Sequence, residues 1–120
     1  MDEYLRDSIS IEKDVEGLCH TYRHNLYHNK RYLDAPDNNI KCILPCTPLA
    51  VVKVLEHTKV YAIAGTSNSN TSTTHLANNM PLAGKKIVII NRSDIVGRPL
   101  AAMLANDGTI YVFLFFLTMP

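Results

Sequence analysis

Residues 88–104 read VIINRSDIVGRPLAAML: a branched apolar run, a polar turn that ends in one glycine, then a stretch of apolar helix formers. A strand that passes into a helix through such a turn aims the first N–H groups of the helix, and the positive end of its dipole, past the strand's carboxyl end. Those groups favour phosphate, and in open parallel sheets this is where dinucleotides bind. The signature G-x-G-x-x-G is reduced here to Asn91-Arg92-Ser93-Asp94-Ile95-Val96-Gly97, with only its last glycine, so the turn taken alone is equally an ordinary strand-to-helix connection. Arg92 and Ser93 favour the binding reading, because a guanidinium fork and a hydroxyl suit a nucleotide phosphate or ribose. Arg98 has two candidate partners, a phosphate or Asp94 one helical turn before it.

Other residues with chemical potential read more simply. His20, His24 and His28 recur every fourth residue, which on a helix puts three imidazoles on one face near Cys19. No carboxylate accompanies them as in H-E-x-x-H, and no metal site is expected. Cys42 and Cys46 bracket Pro45 without a second pair, so Cys42 is expected to pack as a small apolar residue. Six tyrosines, four of them between residues 4 and 32, have few basic neighbours and read as core or interface residues, not as a base-stacking surface. Lys85-Lys86 reads as a solvated entry to a strand.

Composition narrows the partners. A chain of 120 residues with 12 Lys plus Arg against 11 Asp plus Glu has no charge excess to draw nucleic acid or an anionic membrane, so any phosphate binding must be local. The start, MDEYLRDSISIEKDVEG, is acidic and lacks the basic and apolar regions of a secretory signal. Three cysteines without regular spacing fit reduced thiols, and the expected location is the cytoplasm, which makes the sequons at Asn70 and Asn91 accidental. The apolar run IYVFLFFL at 110–117 is far shorter than the ~18 residues of a spanning helix and reads as a strand with nothing after it to cover it, an aggregation hazard.

The elements that must hold these residues follow from the pattern. Residues 2–7 predict a helix end, Ile9–Ile11 a short extended piece, and 40–44 a short strand or extended segment. Pro48 suits a first helical turn, which makes Thr47 the expected N-cap of a helix from 48 to about 58, apolar around most of its surface and so buried on several sides. Residues 65–79, GTSNSNTSTTHLANN, predict a linker. A buried strand over 87–90, the turn 91–97, a helix over 98–106 and a second strand from Thr109 complete an α/β chain. It divides into residues 1–64, a linker at 65–81 and residues 82–120.

Three stretches, KDVEG (13–17), ILPCTPLAVVKVLE (43–56) and GKKIVIINRSDIVGRPLAAMLANDG (84–108), together resemble the methylenetetrahydrofolate dehydrogenase/cyclohydrolase family, in the family's order and with comparable spacing. With NLYHN and RYLD at 25–34 included, the resemblance leans to its NAD-dependent members and covers residues 1–112 apart from the linker. It implies the C-terminal part of a folate-binding catalytic domain at 1–64 and the first βαβ portion of a Rossmann-type domain at 82–120. The implied reaction is oxidation of 5,10-methylenetetrahydrofolate with NAD, NADP not excluded, in a cytoplasmic homodimer serving one-carbon metabolism and purine synthesis. By resemblance, Asn91, Arg92, Ser93, Ile95, Gly97, Arg98 and Pro99 would form the cofactor loop. Asp14 and Glu16, with Pro45 and Thr47, would face the folate, and Cys46 would lie beside the reacting one-carbon unit as the catalytic candidate.

The sequence also departs from the family. Glu16 stands where Asp is common, keeping the charge on a longer arm. The upstream Tyr, and the Lys of the bifunctional members, have no counterpart here, and Tyr111-Val112 runs into Phe113-Leu114-Phe115-Phe116 where an acidic ribose partner is expected. A fragment is therefore expected, with 113–120 a product of a frame change or misplaced exon boundary and the isolated chain inactive. A non-catalytic homologue that acts only in dimerisation, or not at all, is the alternative.

Overall fold

The structure, a computed structural model, describes residues 2–61, 80–91 and 93–115, and for Asp2 and the strand at 111–115 the backbone alone. Helix α1 (Asp2–Asp7), a 3-10 turn (Ile11–Lys13), helix α2 (His20–Tyr27) and helix α3 (Cys46–His57) precede strand β1 (Lys86–Ile90), helix α4 (Gly97–Asn106) and strand β2 (Tyr111–Phe115). β1 and β2 pair in parallel, from Lys86 opposite Tyr111 to Ile90 opposite Phe115. Parallel neighbours need a crossover, and α4 supplies it, so β1-α4-β2 is a βαβ unit. Among the described residues no helix is long and apolar enough to cross a membrane.

α4 is helical because GRPLAAMLAN holds strong helix formers after a first-turn proline. Its Leu100, Met103 and Leu104 stand at i, i+3 and i+4 and are all buried, Leu104 to 1% exposure. They join Leu26 of α2, Val52 of α3, Ile89 of β1, Tyr61 and Leu82 in one cluster. This core draws on both sides of the linker expected at 65–81, of which residues 65–79 lie outside those described. Two bonds close the same corner: the Tyr61 hydroxyl donates to Asp107 Oδ2 at 2.8 Å, and Leu82 N–H donates to Asp107 O at 2.9 Å. Burial, then the bond to Asp107, pushes the Tyr61 phenol well up from its ordinary value.

Several expectations are corrected. α3 begins at Cys46 with Pro45 as its N-cap, so Thr47 lies inside the helix and caps nothing. The earlier start is possible because Pro48 then falls third in the helix, where its missing N–H would have had no intrahelical partner. α3 is not buried on several sides: Pro48 and Val52 are buried, whereas Val54 is 60% exposed. β1 likewise buries Ile89 but leaves Val88 and Ile90 open, since α4 covers one face of the pair. Ile11 opens the 3-10 turn and is not extended. Residues 40–44 take the extended form without a full strand: Lys41 makes one antiparallel bridge to Tyr32, flanked by bonds from Cys42 N–H to Arg31 O and from Leu33 N–H to Ile40 O, both 2.9 Å. The Asp34 carboxylate shapes that small loop by accepting the amides of Asn39 and Ile40, both at 2.9 Å.

Candidate cofactor and substrate site

The turn between β1 and α4 is built on Asn91 and Ser93. Asn91 Oδ1 accepts the Ser93 N–H at 2.6 Å, a side chain standing in for the next backbone carbonyl as asparagine does at turns. Ser93 then serves twice: its carbonyl accepts the Gly97 N–H at 2.9 Å and its Oγ accepts the Ile95 N–H at 3.3 Å. Gly97 is required by proximity: a Cβ there would sit 3.0 Å from Asn91 Oδ1 and 3.2 Å from Asn91 O. Pro99, below 2% exposure, locks the first turn of α4 against the core. Arg98 Nε pairs with Asp94 Oδ1 at 3.1 Å, both side chains about half exposed. Ile95 is exposed beside them. Arg92, placed in the cofactor loop by sequence, lies outside the described residues.

One expectation about this turn is overturned. The opening amides of α4 do not converge on a common point beyond the strand. The Gly97 N–H is spent on Ser93 O, the Arg98 N–H reaches the same oxygen only at 3.5 Å, and Pro99 has none. An anion here would depend on side chains. Ser93 fits that role, because its Oγ is an acceptor for Ile95 and its hydroxyl hydrogen remains to donate to a phosphate oxygen or ribose hydroxyl.

On the substrate side, Asp14 is 9% exposed and its carboxylate closes the KDVEG loop from within. Oδ1 accepts the N–H of Glu16 at 3.3 Å and of Gly17 at 3.0 Å, and Oδ2 accepts that of Cys19 at 2.7 Å. Burial works to raise the Asp14 pKa, but the bonds from Cys19, Leu18 and Glu16 outweigh it and hold the carboxyl below its ordinary 3.8. The Cys19 thiol, pushed up by its own burial and by the Asp14 charge, stays protonated. Gly17 has φ +69°, and a Cβ on it would fall 2.7 Å from Ile43 O. That approach seats the loop against the strand-like segment leading to buried Pro45 and exposed Cys46 and Thr47, whose Sγ and Oγ1 are 3.9 Å apart. Glu16 is exposed at the tip, next to Val15 at 79% exposure.

Gly17 and Ile43 bring the KDVEG loop against the segment that leads to Pro45, Cys46 and Thr47, and Asp14 holds that loop. The cofactor turn lies between β1 and α4. A cavity of about 330 Å³ beside that turn is lined by Asp94 and Arg98 with α1 and α2 residues, and one of about 460 Å³ lies at the far end of α4 around Met103, Asn106 and Asp107. Neither is lined by Asp14, Glu16, Pro45, Cys46 or Thr47. Asp14 as loop organiser was readable from an Asp three residues before a Gly, and Asn91 from its place at a turn; the tight contact of Gly17 with Ile43 O had no sequence signal.

Known proteins agree with this architecture. Residues 66–115 match the family model for the tetrahydrofolate dehydrogenase/cyclohydrolase NAD(P)-binding domain. Methylenetetrahydrofolate dehydrogenase (NAD+) of Saccharomyces cerevisiae is 55% identical over 111 residues, which is 92% of this chain and 31% of the relative. Its namesake from Dictyostelium discoideum is 49% identical over 110 residues, 92% of this chain and 32% of the relative. The solved structure of the NAD-dependent 5,10-methylenetetrahydrofolate dehydrogenase from Saccharomyces cerevisiae superposes with TM-score 0.73 at 51% identity, covering 97% of this chain and 32% of that one. The bifunctional FolD methylenetetrahydrofolate dehydrogenase/cyclohydrolase from Campylobacter jejuni superposes with TM-score 0.63 at 28% identity, covering 99% and 32%. By sequence and by backbone the chain is similar to proteins of the tetrahydrofolate dehydrogenase/cyclohydrolase kind, and it spans about one third of the length of those relatives.

Proposed function

We propose that this chain forms part of an NAD-dependent enzyme that oxidises 5,10-methylenetetrahydrofolate to 5,10-methenyltetrahydrofolate. Residues 1–64 contribute to the folate-binding catalytic domain, and 82–120 form the first βαβ unit of a Rossmann-type domain. The observation that carries the reading is the Asn91-Ser93-Gly97 turn, closed by the 2.6 Å bond and by a glycine packed tightly on Asn91, where a Cβ would sit 3.0 Å from Oδ1, in a span that matches an NAD(P)-binding domain. NAD, when bound, would supply the hydride acceptor for this oxidation. The chain's own part is to hold donor and acceptor in line. Ser93 donates to the cofactor's phosphate or ribose, Asn91 and Gly97 fix the turn that aims it, and Ile95, Pro99, Arg92 and Arg98 complete the loop.

On the folate side Asp14 holds the loop that presents Glu16 to the pterin edge, while Pro45 and Thr47 flank Cys46 beside the one-carbon unit. The thiol there acts as polar support and not as a nucleophile. The similarity to NAD-dependent relatives favours NAD over NADP. Its setting is a cytoplasmic homodimer without a nucleic-acid or membrane partner, a reading supported by three free cysteines and the near balance of 12 basic and 11 acidic residues. The test is a chimera in which this chain replaces its 111-residue counterpart in the Saccharomyces cerevisiae relative. Folate-dependent reduction of NAD, lost on Ser93→Ala, supports the proposal; a folded chimera without turnover overturns it. The 120-residue chain alone is expected to show none.

A further inference from the structure

We propose that the chain carries a site for an amphipathic monoanion, an alkyl chain of medium length ending in a carboxylate, beside the C-terminal end of α2. The position follows from how α2 stops. Asn29 has φ +53°, and the amides after the helix bond back to it, Asn29 N–H to Leu26 O at 3.2 Å and Lys30 N–H to Asn25 O at 2.8 Å. This pair of bonds is the Schellman pattern with asparagine in the left-handed position, and it swings Lys30 and Arg31 around the helix end. The bridge from Tyr32 to Lys41 then brings a third cation to the same wall.

Two cavities share that wall. The larger, of about 460 Å³, has a mainly aliphatic lining that includes Leu26, Leu44, Leu49, Val52 and Met103. The smaller, of about 330 Å³, is lined by Lys30, Arg31, Tyr32, Lys41, Cys42 and Leu44, and so holds three cations and no carboxylate. Lys30, Arg31 and Leu44 belong to both. The neighbouring acids are already engaged: Glu56 with Lys53 at 2.7 Å, Asp107 with the Tyr61 hydroxyl at 2.8 Å, and Asp34 with the amides of Asn39 and Ile40. Among the described residues no ion pair involves Lys30, Arg31 or Lys41. Arg31 Nε donates to Asn29 Oδ1 at 3.2 Å, which steadies the guanidinium while its two terminal nitrogens keep the fork that matches a carboxylate. In a chain of net charge +1, three uncompensated cations beside an apolar hollow select a ligand with a negative head and an apolar body. An aliphatic lining with a methionine in it adapts to a flexible alkyl chain. Arg98, beside the cofactor turn, is about 12 Å along α4 from Asn106 on the larger cavity, so such a ligand leaves the turn free.

The probe is sodium octanoate, titrated calorimetrically into the 120-residue chain, with hexanoate and octyltrimethylammonium as contrasts. Octanoate is expected to bind one to one and about tenfold more tightly than hexanoate, through its two further buried methylenes, and octyltrimethylammonium is expected not to bind. Arg31→Gln and Lys41→Gln, both at exposed positions, should each weaken octanoate by about threefold to tenfold, whereas Lys85→Gln, an exposed lysine outside both cavities, should leave its affinity unchanged. No binding, no gain over hexanoate, a cation that binds as well as octanoate, or an affinity unaffected by both Arg31→Gln and Lys41→Gln overturns the proposal. Carbon-13 methyl spectra of the unsubstituted chain give a reading that no variant's folding affects. Octanoate moves the resonances of Leu49, Val52 and Met103 if the site exists; movement confined to Val88 and Ile90 on the exposed face of β1 rejects it.

Discussion

At the residue scale the strongest constraints are two glycines and one aspartate. Gly97→Ala forces a methyl against Asn91, whose Oδ1 is already held by Ser93 and whose backbone oxygen is 3.2 Å away, so little can give. A loss of about 1–3 kcal/mol in urea unfolding is expected, with loss of NAD binding in the chimera. Asp14 carries a pH signature. Its folded pKa lies below the unfolded value, so its contribution is complete above pH 3.8 and disappears as pH falls through the depressed folded value. Asp14→Asn keeps one acceptor oxygen but supplies an NH₂ where three amides converge, and should cost about 1–3 kcal/mol near neutral pH while flattening the acid limb of the stability curve. An unchanged acid limb would show that another carboxyl governs it. The sequence marked this cluster as chemistry. KDVEG suggested two carboxylates facing a ligand, whereas burial and three N–H donors turn Asp14 inward and leave Glu16 outside.

At the scale of elements, α4 was the most legible part of the chain because its apolar spacing, first-turn proline and preceding glycine all point the same way. α3 was less so. Its apolar residues run around the whole helix, and nothing local says that a neighbour will cover Val52 and not Val54. The structure makes that difference measurable. Leu104→Ala in α4, at a site 1% exposed, should cost about 2–5 kcal/mol, while Val54→Ala, at a site 60% exposed, should change stability by no more than about 0.5 kcal/mol in the same denaturation series. The start of α3 was misread by two residues because a proline third in a helix is as tolerable as a proline first. The helix-dipole argument at α4 failed for a different reason: the periodic pattern locates a helix start but not the carbonyl that will take up its first amide.

At the scale of the molecule, one core joins α2 and α3 to the βαβ unit, while the other face of β1 shows Val88 at 55% and Ile90 at 67% exposure. An exposed apolar face on β1 favours self-association. Val88→Lys combined with Ile90→Lys should lower light scattering of the 120-residue chain at fixed concentration, and scattering unaffected by the pair would place the sticky surface elsewhere. The corner at Asp107 bears on the shape of the whole. Its carboxylate receives Tyr61 and its carbonyl receives Leu82, and Gly108 beside it has no space for a Cβ because Met80 is 2.6 Å away. The chain leaves this corner at one residue and re-enters it 21 positions later, docked on the same peg at both exits. Asp107→Ala should therefore free the Tyr61 hydroxyl while leaving the Leu82 bond, which goes to the backbone carbonyl, in place.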